Sequence, residues 1–585
     1  MAIIIEINGI EYNFDKAVTI LDAAKKIGLK IPSLCHHPDI TNDGKCRICS
    51  VEIEGNDNLV TSCNTLIAKG MKIKTHSNKV IESRKMILEL LLSNHYTDCI
   101  SCAKTNSCEL KEYAQEYNIN ENKYGNKVSR EYEVEQSYSI QKDNDKCILC
   151  GRCTSVCEQL QSVNAICETQ RGEKTYISTG LDIPLKDSIC INCGQCILRC
   201  PTGALSEKND TQYVWDAIND PKKHVVIQTA PAPRAAIGEE FGTKPGKAMT
   251  KELTTALKII GFDKVFDTDF AADLTIMEEG FELLKRLEEQ KNLPLITSCS
   301  PGWIKFAEHF YSDHLDLLST CKSPQQMYGA VIKTYYAKKM KINAKDIVSV
   351  SLMPCTAKKF ECNRPEMNAS NHQDVDYVIT TRECADMIKQ KGLHLPSLPK
   401  SEFDDPIGFG SGAGVIFGST GGVMEAALRT AYEVITGREV PFKNLEITPV
   451  RGMKGIKETS ITITDTVEKY KALEGATLNI AIAHGTANAK IIMERIKEGT
   501  APWHFIEIMA CPGGCLSGGG QPIPTNLDIR KKRAKAIYDE DNNTSIRKSH
   551  LNPQIKMIYE EFLKEPLGSK SHKLLHTKYT KRCQL

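Results

Sequence analysis

The chain lacks any long apolar run. No segment approaches the roughly 18 consecutive apolar residues that a membrane-spanning helix needs, and the apolar fraction is an ordinary 41%. The opening Met-Ala-Ile-Ile-Ile-Glu-Ile-Asn-Gly-Ile also lacks the basic start and the small-residue cleavage site of a secretion signal. It predicts a first β-strand instead. We therefore expect a cytoplasmic protein with no membrane partner.

The chain also has little net charge. Its 75 Lys and Arg residues nearly cancel its 73 Asp and Glu residues. This balance does not indicate a nucleic-acid partner or an acidic membrane surface. The only notably basic stretches, residues 530–535 and the tail around 570–582, are interpreted as solvated faces. A chain of 585 residues is too long for one core and should hold three to five domains.

Cysteine, in contrast, is abundant. In a reducing cytoplasm, 24 cysteines favour metal binding over disulfides. Two groups share the spacing C-x2-C-x2-C-x3-C, and Pro201 follows the second: Cys147, Cys150, Cys153 and Cys157, then Cys190, Cys193, Cys196 and Cys200. This is the two-cluster bacterial ferredoxin pattern, in which the fourth cysteine of each group binds the other 4Fe–4S cluster. We expect Cys200 to join the first three cysteines and Cys157 to join the second three. Cys167 lies outside the pattern and is interpreted as a buried structural thiol.

Two further ligand groups precede this pair. Residues 2–8 and 11–14 predict a hairpin and residues 18–29 a helix, followed by Cys35, Cys46, Cys49 and Cys63 in polar, Gly-rich loops. That arrangement is typical of a β-grasp domain with a 2Fe–2S cluster; the alternative is scattered free thiols. The second group is His95, Cys99, Cys102 and Cys108. A predicted helix over residues 84–93 would place His95 just past its end. A Cys3His set can bind zinc or an Fe–S cluster. Because zinc passes no electrons and the set lies between two redox modules, we favour a 4Fe–4S cluster.

Beyond Tyr213 the pattern changes to alternating strands and helices. Strands are predicted at residues 225–230, 347–353 and 478–483, and helices at 250–260, 274–287 and 323–338. This alternation indicates an α/β architecture, with two mixed sheets flanking a site. The Gly-rich segment 408–422 lacks the lysine of a P-loop. We interpret it as close backbone packing at a buried cofactor. Cys321, Cys362, Cys384 and Cys583 match no ligand spacing and are interpreted as plain thiols.

Three cysteine-bearing segments in this half could converge on one metal site. They are Thr-Ser-Cys-Ser-Pro-Gly-Trp at 297–303, Met-Pro-Cys-Thr-Ala-Lys-Lys-Phe-Glu at 353–361, and the Gly-rich segment 507–522 with Cys511 and Cys515. The last two cysteines are spaced i, i+4 and could face one way from a helical turn.

These segments closely resemble the three signature motifs of iron-iron (FeFe) hydrogenases, and the resemblance covers nearly the whole chain, in the clostridial form with four accessory clusters. It implies an H-cluster: a 4Fe–4S cubane joined to a di-iron unit that carries CO, cyanide and an azadithiolate. By resemblance, Cys355, Cys511 and Cys515 bind the cubane, with Cys515 bridging to the di-iron unit, and Lys358 hydrogen-bonds a cyanide. The surroundings of the di-iron unit would be Met353, Met509, Phe417, Ala230, Pro231 and Gln325.

The resemblance also implies a proton path. Cys299 would lie beside the open iron site, and the path would continue to the surface through Glu279, Ser319, Glu282 and Arg286. Proton transfer to a dry, buried metal needs groups within hydrogen-bonding distance of one another. Without the motifs, each glutamate would be interpreted as part of a solvated helix face.

One position departs from the family. In the family, the first motif usually has a second cysteine directly before the proline, and this cysteine is the fourth cubane ligand. In this chain that position is occupied by Ser300. Three alternatives stay open. Ser300 coordinates iron through oxygen, or Cys299 becomes the ligand while Ser300 relays protons, or the fourth ligand is not part of the protein. An oxygen ligand is harder than a thiolate and would alter the cluster.

The expected fold class is multidomain α+β and α/β. We expect a β-grasp 2Fe–2S domain over 1–80, a Cys3His 4Fe–4S domain over 81–125, a ferredoxin-like domain with two 4Fe–4S clusters over 126–210, and an H-cluster domain over 211–585. The expected function is a ferredoxin-linked hydrogenase that interconverts H⁺ and H2. Separate maturation proteins would be needed, because no side chain supplies CO, cyanide or dithiolate. The alternatives are a subunit of an NAD(P)-linked or electron-bifurcating complex, and a non-catalytic H2 sensor or Fe–S assembly protein.

Overall fold

The computed structural model describes residues 2–40 and 44–583. The chain forms two compact units. The first comprises Met1–Gln159, Asn164–Asp187 and Arg199–Ser206, and the second comprises Leu160–Val163, Ser188–Leu198 and Glu207–Leu585. Within the described part of the chain, no helix is both long and apolar enough to span a membrane.

The first unit is built from short strands and four helices. In chain order its elements are β1 Ile3–Ile7, β2 Ile10–Phe14, α1 Ile20–Lys26, β3 Ser50–Ile53, β4 Val60–Thr61, β5 Lys72–Lys74, α2 Asn78–Ser93, α3 Glu109–Glu116, β6 Glu135–Gln136, β7 Ile140–Lys142, α4 Arg152–Gln159, β8 Cys167–Thr169 and β9 Tyr176–Ser178. Helix α5 (Gln195–Arg199) and strand β10 (Leu205–Glu207) contain residues of both units.

A five-stranded mixed sheet, ordered β2-β1-β5-β3-β4, forms the start of the first unit. Strands β1 and β2 form the expected hairpin, and β1 pairs in parallel with β5. The Thr19 hydroxyl accepts a hydrogen bond from Asp22 N and so caps α1. The apolar face of α1, with Ile20 and Ala24, packs on Ile5 of the sheet. The helix expected over residues 84–93 begins earlier, at Asn78.

The second unit contains the remaining elements. They are α6 Thr211–Asn219, β11 His224–Thr229, α7 Pro231–Arg234, α8 Thr250–Ile260, β12 Lys264–Asp267, α9 Thr268–Glu289, β13 Leu295–Ile296, α10 Pro301–Phe310, α11 Pro324–Val331, α12 Ala337–Met340, β14 Ile347–Met353, α13 Ala357–Cys362, β15 Tyr377–Thr380, α14 Thr381–Gln390, α15 Gly412–Val415, α16 Gly422–Thr436, β16 Ile456–Thr462, β17 Thr477–His484, α17 Thr486–Lys497, β18 Phe505–Met509, α18 Leu527–Asn543, α19 Pro553–Ile558 and α20 Ser569–Leu575.

Two four-stranded sheets organise this unit, and the expectation that both are mixed is wrong for one. The sheet β12-β11-β14-β15 is parallel throughout. Its strands are joined through helices, which is the connection that parallel pairing requires. The helices cover both faces, so β14 is buried along its whole length. The other sheet, β13-β18-β17-β16, is mixed, because only β16 runs antiparallel to its neighbour.

The long helix α9 contributes to two hydrophobic cores of the second unit. Phe270 and Leu274, near its start, pack with residues of α11 and α19. Ile276 and Leu283, further along, pack with α16 and the mixed sheet. Asp267 caps the helix by accepting a hydrogen bond from Asp269 N at 2.8 Å. Because both sides of α9 are covered, the glutamates in its middle are buried in the protein.

Candidate active site

A cavity lies where strands of both sheets end. The residues that follow β11, β12 and β14 line it from the parallel sheet, and those that follow β13 and β18 line it from the mixed sheet. Open α/β sheets commonly bind ligands at the carboxyl ends of their strands. The topology of the two sheets therefore brings the three cysteine-bearing segments to one place.

Three cysteines line this cavity together. The Cys355 and Cys511 thiols are hydrogen-bonded to each other, which lowers the pKa of Cys355 and raises that of Cys511. Burial, followed by the nearby Cys355, raises the pKa of Cys515 to about 12. The expectation that Cys511 and Cys515 share a helical turn is wrong: Gly513 and Gly514 between them have φ of +81° and +84°. The chain thus reverses through two left-handed residues, yet both thiols reach the cavity.

The second C-x2-C-x2-C group packs directly against this site. The Thr356 hydroxyl donates to Asn192 O at 2.8 Å, and Gln195 Nε2 donates to Ser517 O at 2.8 Å. A Cβ placed on Gly519 would lie 2.7 Å from Cys193 O, so only glycine permits this approach. The Cys193 thiol is near enough to contribute to the raised pKa of Cys511. The loop that carries Cys190, Cys193 and Cys196 is therefore held against the segments that carry Cys355 and Cys511.

Lys358 is oriented by a glutamate that the sequence analysis gave no role. Its Nζ donates to Glu361 Oε2 at 2.9 Å and to the Cys299 carbonyl at 3.1 Å. The same Oε2 of Glu361 accepts from the Ser323 hydroxyl and from Gln325 Nε2. This leaves Gln325 Oε1 buried without a hydrogen-bond partner among the described residues. The only sequence signal for Glu361 is its place three residues after Lys358, one helical turn on.

Cys299 and Ser300 face different neighbours. Burial is the main cause that raises the pKa of Cys299 well above its usual value, and the charges of Glu279 and Cys515 raise it further. The thiol therefore stays protonated. The Ser300 hydroxyl instead accepts a hydrogen bond from Ala510 N, immediately before Cys511, at 3.2 Å. Gly302, two residues on, lies close enough to Ala510 that a Cβ would touch its methyl group at 3.0 Å. Cys299 thus lies on the side of Glu279, and Ser300 on the side of Cys511.

Glu279 is a buried carboxyl group that the Ser319 hydroxyl and the Ser298 N–H approach. Burial, and secondarily the neighbouring Glu282, raises its pKa to about 8. Ser319 lies near both glutamates, and its hydroxyl donates to Glu282 Oε2 at 2.9 Å. Because its pKa lies close to neutral, Glu279 can both take up and release a proton at physiological pH.

Glu282 and Arg286 complete the expected line of groups. Arg286 Nη2 donates to Glu282 Oε1 at 2.7 Å, one helical turn away. The rest of the guanidinium is held by the backbone carbonyls of Asn292, Asp316, Leu317 and Leu318. Arg286 is 9% exposed. The interpretation of these glutamates as a solvated helix face is therefore wrong, because α9 is covered on both sides.

The six residues expected to surround the di-iron unit, Ala230, Pro231, Gln325, Met353, Phe417 and Met509, all line the cavity. Thr268, Asp269 and Ala272 line it too and were not anticipated. Asp269 forms an ion pair with Arg234 at 3.1 Å, and burial raises its pKa. The Gly-rich segment packs on the same aspartate: a Cβ on Gly414 would lie 2.5 Å from Asp269 O. This agrees with the interpretation of close backbone packing near a buried site.

The four cysteines expected to bind a 2Fe–2S cluster lie together in the first unit. The Cys35 thiol is hydrogen-bonded to Cys46 and Cys63, and Cys63 is hydrogen-bonded to Cys49. The contact with Cys46 lowers the pKa of Cys35 to about 2, and the contact with Cys63 lowers that of Cys49 to about 7. The same contacts raise the pKa of Cys46 and of Cys63. All four thiols thus lie in contact with another member of the group, as the ligands of one cluster must.

The first ferredoxin-type group also converges within the first unit. One cavity is lined by Cys147, Cys150, Cys153 and Cys200. Cys102 of the Cys3His group lies against Gly203 in the same unit. Cys99 and Cys102 contribute to the raised pKa of Cys108, of which burial is the main cause.

Two other expected ligands behave differently. His95 is buried, its Nδ1 has no hydrogen-bond partner among the described residues, and burial lowers its pKa to about 4, which keeps the imidazole in its ligating form. Cys157 belongs to the first unit, whereas Cys190, Cys193 and Cys196 belong to the second. The cluster that Cys157 would share with them stays a prediction.

Cys167 is half-buried, which corrects the expectation of a buried thiol. It lies on the short ribbon β8–β9, which has few side chains to cover it.

Family models match most of the chain. A model described as "Iron only hydrogenase large subunit, C-terminal domain" matches residues 223–519, and "Iron hydrogenase small subunit" matches 527–582. Three further models match the front: "2Fe-2S iron-sulfur cluster binding domain" at 1–78, "NADH-ubiquinone oxidoreductase-G iron-sulfur binding region" at 84–123, and "4Fe-4S dicluster domain" at 146–204.

Individual proteins match over the whole length. The NADP-reducing hydrogenase subunit HndD of Solidesulfovibrio fructosivorans is 46% identical over 596 residues, covering 99% of each chain. Iron hydrogenase 1 of Clostridium pasteurianum is 42% identical over 582 residues, covering 98% of this chain and 99% of the relative. A solved structure of the [FeFe]-hydrogenase HydA1 from Chlamydomonas reinhardtii aligns with a TM-score of 0.58 and 45% identity, covering 64% of this chain and all of its own.

Proposed function

The chain belongs to the iron-only hydrogenase family, and from that premise we propose that it interconverts protons and H2 at an H-cluster held by Cys355, Cys511 and Cys515. The observation that carries the proposal is the meeting of these thiols with Lys358 and Cys299 at one cavity, with Glu279 close behind Cys299. The accessory ligand groups would hold one 2Fe–2S cluster, in a β-grasp domain, and three 4Fe–4S clusters.

The residues at the cavity fit the cofactor. Three buried or half-buried thiols give the soft donor set that iron–sulfur clusters use. The unpartnered Gln325 Oε1 and the Lys358 ammonium offer polar contacts in a lining that is otherwise mostly apolar. When bound, the di-iron unit supplies the metal centre at which protons and electrons combine to H2.

The protein's own part is to move protons and electrons to this centre. The protonated Cys299 thiol and Glu279 stand next to each other, and Ser319 links Glu279 to Glu282 and Arg286. The thiol, the two carboxyl groups and the Ser319 hydroxyl can each hold a proton and pass it to the next. Arg286 stays charged and holds Glu282 in place at the outer end. Electrons would enter on the opposite side, through the cluster bound by Cys190, Cys193 and Cys196, whose loop packs against Cys511.

For Ser300 we propose the first of the three alternatives, oxygen ligation of the cubane. Ser300 and Cys299 both line the cavity. The Ser300 hydroxyl accepts from the N–H of Ala510, the residue before Cys511, whereas the Cys299 thiol has Glu279 as its strongest charged influence. The N–H of Ala510 that points at the hydroxyl would also stabilise an alkoxide. Cys299 then keeps the role of proton donor, and neither residue needs to serve twice.

For the electron partner we propose ferredoxin or a similar one-electron carrier. A second candidate is the catalytic subunit of an NAD(P)-linked or electron-bifurcating complex, and the full-length similarity to the NADP-reducing hydrogenase subunit HndD favours it. A nucleotide site would then have to lie on a partner subunit, because segment 408–422 has no phosphate-binding lysine.

The test is H2 evolution by the matured, purified chain with dithionite-reduced viologen or ferredoxin as the donor, together with NADP⁺ reduction under H2. H2 evolution from viologen and ferredoxin without NADP⁺ reduction supports the first partner. NADP⁺ reduction only when a copurifying subunit is present supports the second. No H2 with any donor, from a chain with its full iron content, contradicts the proposed reaction.

A further inference from the structure

A cluster of three side chains that could bind a metal ion lies beside the proposed proton path, and only one of the three belongs to that path. Glu282, Cys321 and His576 each place one ligand atom so that all three lie within 4.8 Å of one another. Cys321 is completely buried, Glu282 is 7% exposed and His576 is 8% exposed. Glu282 belongs to the path, and the other two residues have no part in it.

The backbone holds the cluster together. Cys321 and His576 face each other in an antiparallel β-bridge. On either side of this bridge, Thr577 N donates to Thr320 O at 2.7 Å and Lys322 N donates to Leu575 O at 2.8 Å. Glu282 reaches the same place from α9, where its Oε2 lies 3.9 Å from Cys321 Sγ. The main-chain bridge therefore fixes Cys321 and His576. The Glu282 carboxylate is held beside them by hydrogen bonds from Arg286, Ser319 and Thr320 N.

The donor set selects the kind of ion. A thiolate, an imidazole and a carboxylate together suit zinc and other thiophilic divalent cations, whereas Mg²⁺ and Ca²⁺ prefer oxygen ligands alone. Zinc bonds of 2.0–2.3 Å in a tetrahedral site separate ligand atoms by roughly 3.3–3.8 Å. The Glu282–Cys321 separation is already near this range, and the widest separation in the cluster must shorten by about 1 Å.

The charge around the cluster also favours a cation. The carboxyl groups of Glu282, Glu279 and Glu278 all act on Cys321, and Arg286 is the cation paired with Glu282. Glu278 lies on the far side of His576, with its Oε2 3.0 Å from Nε2. A carboxylate in that position is the usual outer partner of a metal-bound histidine.

We propose that Glu282, Cys321 and His576 bind zinc or a similar thiophilic divalent cation, and that the bound ion stops turnover by taking Glu282 out of the proton path. The blocking half of this inference rests on the proposed function. Binding forms metal bonds to Sγ, to one ring nitrogen and to a Glu282 oxygen, with water in the fourth position. The Cys321 thiol proton is released to the buffer, and no electrons are transferred.

The mechanism of the block follows from the atoms involved. Glu282 Oε2, which faces Cys321, is also the acceptor of the Ser319 hydrogen bond at 2.9 Å. An ion on that oxygen displaces the hydroxyl and repels an arriving proton. Arg286 remains on the other oxygen, Oε1. At His576, an ion on Nδ1 displaces only the hydrogen bond with Thr320 Oγ1, which is 2.8 Å long, and leaves Glu278 in place.

The experiment uses the matured full chain with all its clusters. ZnCl2 is added in chelator-free buffer, H2 evolution from reduced viologen is measured, and zinc retained after desalting is counted per chain. Cys321→Ala and His576→Gln test the ligands, each compared with its own zinc-free rate. Cys384→Ala is the matched control, because that thiol is equally buried and lies on α14, outside the cluster.

We expect one retained zinc per chain and inhibition that EDTA reverses. Cys321→Ala and His576→Gln should each raise the zinc concentration for half-inhibition by about tenfold or more, while Cys384→Ala leaves it unchanged. Zinc retention that is the same in Cys321→Ala as in the wild type overturns the site. Retention that needs Cys321 but leaves turnover unaffected overturns the block. A chain that never produces H2 but still retains zinc through Cys321 contradicts the proposed function and leaves the site standing.

Discussion

The first unit and the cavity of the second unit gather their cysteines in opposite ways. In the first unit, the members of a ligand group lie mostly a few residues apart in one loop, as in Cys46 and Cys49 or Cys147 and Cys150. In the second unit, the thiols of the cavity come from segments that follow strands of two different sheets. Cys355 and Cys511 are more than 150 residues apart in the chain. Loop spacing alone therefore predicts the first kind of site, whereas the second depends on the fold.

The largest effect is expected at the bridging position of the second unit. Cys515→Ala should abolish H2 evolution, because it removes the proposed link between cubane and di-iron unit, and it should leave the iron of the first unit in place. Cys49→Ala, in the first unit, should keep turnover with reduced viologen within about tenfold of the wild type. Iron content and H2 evolution are measured on both. Wild-type turnover in Cys515→Ala would refute the assignment of the cavity.

The next effect concerns the buried proton path. Glu279→Gln should lower turnover by about 10²-fold or more, since an amide cannot relay a proton and a positioned acid–base group typically contributes 10²–10⁴-fold. The matched control is Glu278→Gln, one residue away, which is equally buried but bonded to Tyr559 and His576. It should lose less than about tenfold. Equal losses in the two variants would show that burial, not proton relay, explains the effect.

A third variant pair sharpens the assignment of the first motif. Ser300→Ala should lower the iron content by up to about four atoms per chain, the size of one cubane, whereas Cys299→Ala should keep all iron and lose turnover. Ser300→Cys should restore the iron. The comparison uses iron analysis and electron paramagnetic resonance of chains prepared without the di-iron unit. Iron loss in Cys299→Ala but not in Ser300→Ala would reverse the two roles.

The smallest effect is on stability. The pKa of Glu279 is raised to about 8 by burial, from an ordinary value near 4.5, so the folded chain binds more protons than the unfolded chain between those values. Stability contributed by this group is therefore lost as pH rises from about 5 to 8. Glu279→Gln should remove that slope. Its free energy of unfolding should therefore exceed that of the wild type by more at pH 8 than at pH 5, with the difference up to a few kcal/mol, as measured by thermal unfolding at the two pH values. An unchanged difference across this range would show that the carboxyl is not neutral.

Much of the fold could be predicted where local pattern decides it. The helix over residues 250–260 and the strand over 347–353 are found with the predicted bounds, because each has one dominant apolar periodicity. The all-parallel order of one sheet could not be predicted, since pairing depends on contacts between strands far apart in the chain. The thiols of the cavity were identified through motifs, not through periodicity.

Other parts of the site required the fold itself. Glu361 orients Lys358 and Gln325, but as a charged residue in a short helix it has no local signal of burial. Asp269 reaches the cavity only because β12 ends beside it. The different surroundings of Cys299 and Ser300 depend on where β18 places Ala510. His576 meets Cys321 through a bridge between segments more than 250 residues apart.

The most direct test of the account is infrared spectroscopy of the chain after anaerobic maturation. If the cavity holds the di-iron unit, sharp bands of metal-bound CO and cyanide will be present in the wild type and absent in Cys515→Ala, and they will persist in Glu279→Gln although that variant turns over slowly. A wild-type chain that carries its full accessory iron but shows none of these bands would contradict the central claim.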